Sequence, residues 1–292
     1  MTRRVALRIT LLVLAAIGVI VALTVYFSTE KIPPCLVPGA PKWRPPTDRD
    51  THRFLLVVPD RALCFYAIDD DHKLVGAVKL DGIEGIDAIE PRGGRLALRY
   101  RGRGAVVDLA TGRATQARAP APPSLDVTVA DPRAHVEYTT RPGEFGFRVA
   151  SAQGIRLLHF QGFAWNPRFG PDPPDHGLAL VPGRRQLWVL DAPNSAAHVF
   201  DVFGAPQGSP RKLDDVRFSK PLSGDENPCA HPRCERLGSL LPSSDGRYIY
   251  VGDSGDVIDV AKRETVTNLE ALHQSRLLIE VAWVDGKPAF PR

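Results

Sequence analysis

Hydrophobic and polar positions fall along this chain in two regimes. From Ile9 to Phe27 every residue is uncharged and most are apolar, with Arg3, Arg4 and Arg8 ahead of the run and Glu30 behind it. A helix of that length, at about 1.5 Å per residue, spans roughly 28 Å, close to the apolar thickness of a bilayer. No polar face interrupts the run, so a transmembrane helix is predicted in preference to a buried soluble one. Beyond residue 50 the pattern becomes short apolar runs between Gly, Pro and Asp turns. The plainest are 54–58, 62–68, 74–80, 95–100, 104–109, 187–190, 198–202, 248–251 and 257–260. Their valines, isoleucines and aromatics suit pleated, half-buried surfaces. Asp81-Gly82, Thr111-Gly112, Asp245-Gly246 and Asp285-Gly286 supply tight-turn signals between them. No later stretch of helix length keeps a 3.6-residue apolar period, and 267–273 suits a short helical turn or a strand end equally.

The strand pattern repeats. Arg95–Tyr100 is followed by a turn and Ala105–Arg113; Gln186–Asp191 by a polar stretch and Ala197–Val202; Asp245–Asp253 by a turn and Val257–Ala261. Comparable positions fall near 55, 96, 135, 187 and 248. The first two intervals match a propeller-blade period of about 40 residues. The later two are longer and hold either Pro/Gly-rich insertions at 162–175 and 204–232 or a poorly marked extra blade. The fold class expected is all-β, a β-propeller after an N-terminal transmembrane helix, with six blades preferred and five or seven as alternatives. A β-sandwich is the rival, and the regular early spacing argues against it. Leu277–Val284 with Lys287–Phe290 is expected to complete the last blade or to close the ring against the first.

Residues 241–260, from Leu241 through Asp245-Gly246 and Tyr248–Val251 to Val260, resemble a YVTN-repeat unit of the YncE-like β-propellers. So does 177–202, where Gly177–Gly183 precedes the Leu187–Asp191 strand. The resemblance implies an exported or surface propeller of the seven-bladed kind. It supplies no reaction.

Charge changes the picture of where the chain works. The formal net charge is +4, but residues 1–47 hold six Lys or Arg against Glu30, so the remainder is nearly neutral. A near-neutral domain has no compositional case for binding nucleic acid. Arg99, Arg101 and Arg103 read as a strand edge and turn. The arginines before the apolar run should stay cytoplasmic, which places the rest outside. A retained signal anchor is preferred to a cleaved signal because no small-residue cleavage box follows the run. Six prolines between Pro33 and Pro46 predict a stiff, extended spacer. The expected organisation is thus 1–30 basic flank and anchor, 31–50 extracytoplasmic linker and 51–292 propeller, in a single-pass cell-membrane protein whose lipid contact is the N-terminal helix.

Candidate chemistry is sparse. Cys229 and Cys234 bracket a short segment and are expected to form a disulfide outside the cytoplasm. A metal reading with His231 is the weaker alternative. Cys64 reads as a buried small side chain, and pairing with Cys35 is a further option. Asp172, Asp175 and His176 precede an expected inner strand, where propeller loops converge on an axial mouth. They are the candidate metal or polar-ligand residues, with Glu226, Asn227 and His231 as partners from the long insertion and Trp165 as a candidate ligand-contact aromatic. Trp188 and Trp283 read as core. Asp108, Asp191, Asp201, Asp253 and Asp259 recur at strand ends and read as turn caps. Ser195 and Ser254 lack a nucleophile elbow or an identifiable base.

The reading favoured by these features is a binding or protein-interaction module for an extracytoplasmic protein or small-molecule ligand, with no resident cofactor required. The alternative is a metal-dependent hydrolase of a small lactone or ester, in which a divalent cation held by 172–176 would activate water.

Overall fold

The structure, a computed structural model, describes residues 32–122, 127–141, 146–159, 177–192, 194–205, 207–222, 238–273, 275 and 277–291. These form a five-bladed β-propeller. Blade 1 begins with β1 (His52–Val57), β2 (Ala62–Ala67) and β3 (Lys73–Lys79). Blade 2 contains β4 (Ile86–Arg92), β5 (Arg95–Tyr100), β6 (Arg103–Asp108) and β7 (Ala114–Gln116). Blade 3 contains β8 (Val127–Asp131), β9 (Val136–Thr140), β10 (Gly146–Ser151) and β11 (Gly154–His159). Blade 4 contains β12 (Leu178–Val181), β13 (Gln186–Asp191), β14 (Ala196–Asp201) and β15 (Arg211–Arg217). Blade 5 contains β16 (Ser239–Pro242), β17 (Tyr248–Gly252), β18 (Asp256–Asp259) and β19 (Glu264–Asn268). The last two strands, β20 (Leu278–Val284) and β21 (Lys287–Ala289), return to blade 1 and give the order β21-β20-β1-β2-β3. The ring is therefore closed by β20 pairing with β1 along His52–Val57.

The preferred count of six blades gives way to five among the described residues. Each repeat marker labels the middle strand of blade 1 or the second strand of another blade: Leu55 lies on β1, Leu96 on β5, Leu187 on β13 and Tyr248 on β17, while position 135 abuts β9. The long interval before 248 holds no extra blade in its described part; it holds β15, the outer strand of blade 4. That strand reads Arg-Lys-Leu-Asp-Asp-Val-Arg and carries no apolar run to announce it. Five separate sheets also exclude a sandwich.

Local sequence explains the hairpins. Asp285 and Gly286 both take positive φ, at 49° and 71°, and join β20 to β21 through the two-residue turn whose twist matches paired strands. Gly246 does the same kind of work under tighter constraint, because a Cβ there would lie 2.6 Å from the Pro182 carbonyl of blade 4.

Blades pack through apolar clusters at four junctions. Leu96, Leu98 and Val107 of blade 2 meet Leu56, Leu63 and Trp283 of blade 1. Leu55 and Val57 of blade 1 meet Tyr248, Tyr250 and Leu272 on the blade 5 side. Trp188 and Val199 of blade 4 meet Ile249 and Ile258 of blade 5, and Phe200 of blade 4 meets Tyr138 and Phe147 of blade 3. Trp188 and Trp283 are fully buried, as expected. Each fully buried large side chain contributes about 1.5–3 kcal/mol of transfer free energy. Among the described residues no such cluster joins blades 2 and 3; the face of blade 3 away from blade 4 presents Thr128, Glu137, Ile155 and Leu157, all exposed.

The proline-rich stretch is bound to blade 1 from Pro34 onward. Cys35 and Cys64 form a disulfide, with Cα atoms 5.8 Å apart, so Cys64 is buried but not a free thiol. Pro41 and Trp43 bracket Ala77 at the outer edge of β3: the Ala77 amide donates to Pro41 at 3.0 Å and the Trp43 amide donates to Ala77 at 3.1 Å. The Trp43 ring stacks flat on Phe65 with centroids 3.7 Å apart, and its indole N–H reaches the Leu109 carbonyl of blade 2 at 2.8 Å. Proline suits such a strap because edge pairing needs only some of its amides.

Candidate functional site

Asp172, Asp175, His176, Trp165, Glu226, Asn227, His231, Cys229 and Cys234 all lie outside the described residues, as does the apolar run 9–27. Among the described residues no helix is long and apolar enough to cross a membrane. No described group of three or more His, Cys, Asp or Glu side chains is placed to hold a metal ion.

Most acids singled out in the sequence act as caps. Asp108 accepts from the amides of Ala110 and Thr111 and from the Thr111 hydroxyl. Asp201 accepts from Phe203, and Asp259 from Ala261 and Lys262. These three acids end the third strand of their blades, where the chain turns back and leaves amides without a ladder partner. Asp191 caps Asn194 and also faces His198 Nε2 at 2.9 Å, while His198 Nδ1 meets Asp215. Both nitrogens of that buried imidazole are thus occupied by carboxylate oxygens. Asp215 is held below the usual carboxylate range: burial pushes it up, but hydrogen bonds from Lys212 and His198 outweigh that.

Other polar groups rivet neighbouring blades. Arg185 donates to Asp131 at 2.8 Å between blades 4 and 3. Buried Asp256 of blade 5 accepts from the amide and hydroxyl of Ser219, in the segment after β15, and from Asn268. Ser244 donates its amide and hydroxyl to Glu280 across blades 5 and 1 at 2.7 and 2.6 Å. The Gly85 amide reaches Asp60 at 2.7 Å between blades 2 and 1. Such groups are committed to the ring and poorly suited to turnover chemistry.

The flank of blade 2 is different. Arg95 on β5, Asp108 at the end of β6 and Arg113 just before β7 stand side by side, since Arg95 is opposite Asp108 and the Asp108 amide donates to the Arg113 carbonyl at 3.0 Å. With Thr111, Thr115 and a half-buried Val106 floor they line an open cleft of about 200 Å³. The Thr111 amide, chiefly, holds Asp108 below its usual range, against the effect of burial. Asp108 is therefore charged at neutral pH, and its outer oxygen lies 3.8 Å from Arg95 Nε, beyond hydrogen-bond length. Two guanidinium groups against one carboxylate leave the cleft with one net positive charge, and the Arg113 side chain has no partner among the described residues. Sequence reading missed this site. Arg95 and Arg113 are far apart in sequence and meet only once the Arg101-Gly102 and Thr111-Gly112 turns fix the register of three strands.

No family model matches the chain, and no curated protein matches it. Solved structures that align with it include the nidogen/laminin complex, at 12% identity over 81% of this chain and 99% of that chain with a TM-score of 0.36. They also include apo AztD from Citrobacter koseri, at 10% identity over 83% and 99% with a TM-score of 0.39, and a Lactobacillus plantarum protein, at 14% over 75% and 66% with a TM-score of 0.35. Likeness at this level says nothing about ligand or reaction; the propeller assignment stands on the sheet topology itself.

Proposed function

We propose that this chain is a membrane-tethered extracytoplasmic propeller of the YncE-like kind that serves as a binding or protein-interaction module. Its tether is the 9–27 helix, with the N-terminus in the cytoplasm. The observation that carries the binding reading is the open cationic cleft on blade 2, mounted on a ring in which Asp131, Asp256 and Glu280 are spent on joining neighbouring segments. The Cys35–Cys64 bond supports the compartment, because disulfides persist in oxidising surroundings. The two units that resemble YVTN repeats fold as the first three strands of blades 4 and 5, which supports the kinship.

Affinity capture tests the function. Full-length protein in detergent is expected to retain a specific protein or small-molecule ligand that then binds the purified chain saturably. Recovery of no such ligand, together with turnover of a small molecule by the purified protein, would overturn the reading. Lysing cells under denaturing conditions in a thiol-blocking reagent without reductant tests the compartment. Cys35 and Cys64 are expected to resist alkylation, and ready labelling of both would place the propeller in a reducing environment.

A further inference from the structure

Propeller blades leave their outermost strand unpaired on one side, and such edges are usually protected by charge, proline, bulges or covering chain. This protein shows several of these devices. The edge of β3 is covered by its own residues 41–43, which pair with Ala77. The edge strand β15 carries five charged residues, and Asp214 is held by Arg263 at 3.0 Å. The pairs β2–β3, β14–β15 and β18–β19 all contain a register shift. Strand β7 has none of these. It reads Ala-Thr-Gln, is exposed throughout, and pairs with β6 in unbroken register.

The hydrogen-bond pattern fixes which groups β7 offers. The Asp108 amide donates to Arg113, and the Ala117 amide donates to Gly104. Antiparallel pairs alternate between bonded and non-bonded, so Thr115 turns its amide and carbonyl toward β6. Ala114 and Gln116 then direct theirs away from the sheet, and no described residue takes them up. The side chains beside this open edge are those of the cationic cleft, Arg113 and Thr115, with Arg95 behind them.

We propose that β7 accepts an extended acidic peptide as an added strand, with a carboxylate side chain seated on Arg113 and Arg95 adding positive charge from behind. The inference rests on the binding-module reading above and names its ligand class. Three observations converge. The backbone groups of Ala114 and Gln116 supply the main-chain register of strand addition. The Arg113 guanidinium supplies a fork matched to a carboxylate, and the net positive charge of the cleft is neutralised by one such group. The strap at β3 shows that an extended segment docks on an outer edge of this ring with the same kind of main-chain bonds. Side chains of an added strand alternate faces, so acids two residues apart would line the cleft together.

Fluorescence polarisation with full-length protein in detergent tests this, using a short labelled peptide of alternating Glu and Val. Saturable binding is expected, and the same peptide with Gln for Glu should bind at least about tenfold more weakly. Arg113→Glu should weaken binding to a similar degree. Ala114→Pro should also weaken it without lowering the melting temperature, because the amide it removes faces outward. A backbone N-methylated version of the acidic peptide keeps the charge, removes the donors, and tests strand addition without any variant; it should fail to bind. Equal binding of the Glu and Gln peptides, or undiminished binding of the N-methylated one, would overturn the proposal. So would a sulfated polysaccharide that occupies the cleft while the peptide does not. Failure of the peptide alongside successful ligand capture leaves the binding module standing and removes only this ligand class.

Discussion

Asp191 and Asp215 hold the same imidazole from opposite sides, but burial separates their contributions. The Asp191 side chain is fully buried, whereas that of Asp215 is 52% exposed. Asp191→Ala removes the fully buried carboxylate that holds His198 Nε2 and is expected to cost about 3 kcal/mol in denaturant unfolding. Asp215→Ala loses a screened contact and should cost about 1 kcal/mol or less. His72 makes a prediction in pH. Burial holds its imidazole below the ordinary value of 6.5, where it lies 3.1 Å from the buried Tyr250 hydroxyl. Asp71 and Asp69 oppose that shift, while Arg247 and Arg53 reinforce it. Below 6.5 the unfolded chain takes up a proton that the folded chain resists, so stability is full above that value and falls as pH drops through it. His72→Asn, which tolerates the positive φ of 59° at this position, should flatten the decline of melting temperature on the acid side. An unchanged slope would locate the acid sensitivity elsewhere. The caps were legible in sequence because an Asp at a strand end reaches amides two or three residues away. The imidazole clasps were not, since His72 and Tyr250 are 178 residues apart and only the ring brings them together.

At the scale of elements, the strap is the feature most open to test. Replacing Cys35 by Ser opens a loop with a sequence separation of 29. Chain-entropy arguments put the loss at roughly 3–4 kcal/mol. Gly76→Val attacks the same contact from the other side, because even a Cβ at Gly76 would lie 2.5 Å from the Trp43 Cα. That variant should keep the ring folded while exposing 34–46 to limited proteolysis; a protected N-terminal segment would refute the packing described. Central strands were read nearly residue for residue, since β1, β2, β5, β6, β13, β14, β17 and β18 are runs of buried apolar residues. Outer strands such as β7, β15 and β19 were missed, because a strand with one neighbour and a wet face needs no hydrophobic signature. The prolines of the strap signalled a stiff, extended spacer outside the core, but the structure turns 34–36 into a 3-10 helix and packs Cys35 and Trp43 against blade 1. The blade 2 cleft was illegible for the related reason that its charges lie on β5, at the end of β6 and just before β7, each unremarkable alone.

The whole molecule depends on its last strands. Val281 and Trp283 belong to the apolar cluster between blades 1 and 2, and Leu278 to the one between blades 5 and 1. Truncation before Leu277 should therefore abolish cooperative melting and expose dye-binding apolar surface; a truncated protein that still melts sharply would show that the ring does not need this closure. The blade period was visible from sequence, but the count was not, because long insertions and polar outer strands lengthen the spacing without adding sheets. Closure of the ring by β20 on β1 also sets a timetable. Synthesis runs from the N-terminus, so β1 is made before blades 2 to 5 and must wait until after them for β20. Throughout that interval Leu55, Leu56 and Val57 have no partner on that side and are open to sticking or misregistry. Cys35 and Cys64 both precede blade 2 and can be joined long before this happens. An early covalent stitch would hold β2 and its strap in place while the nascent disk is still a crescent.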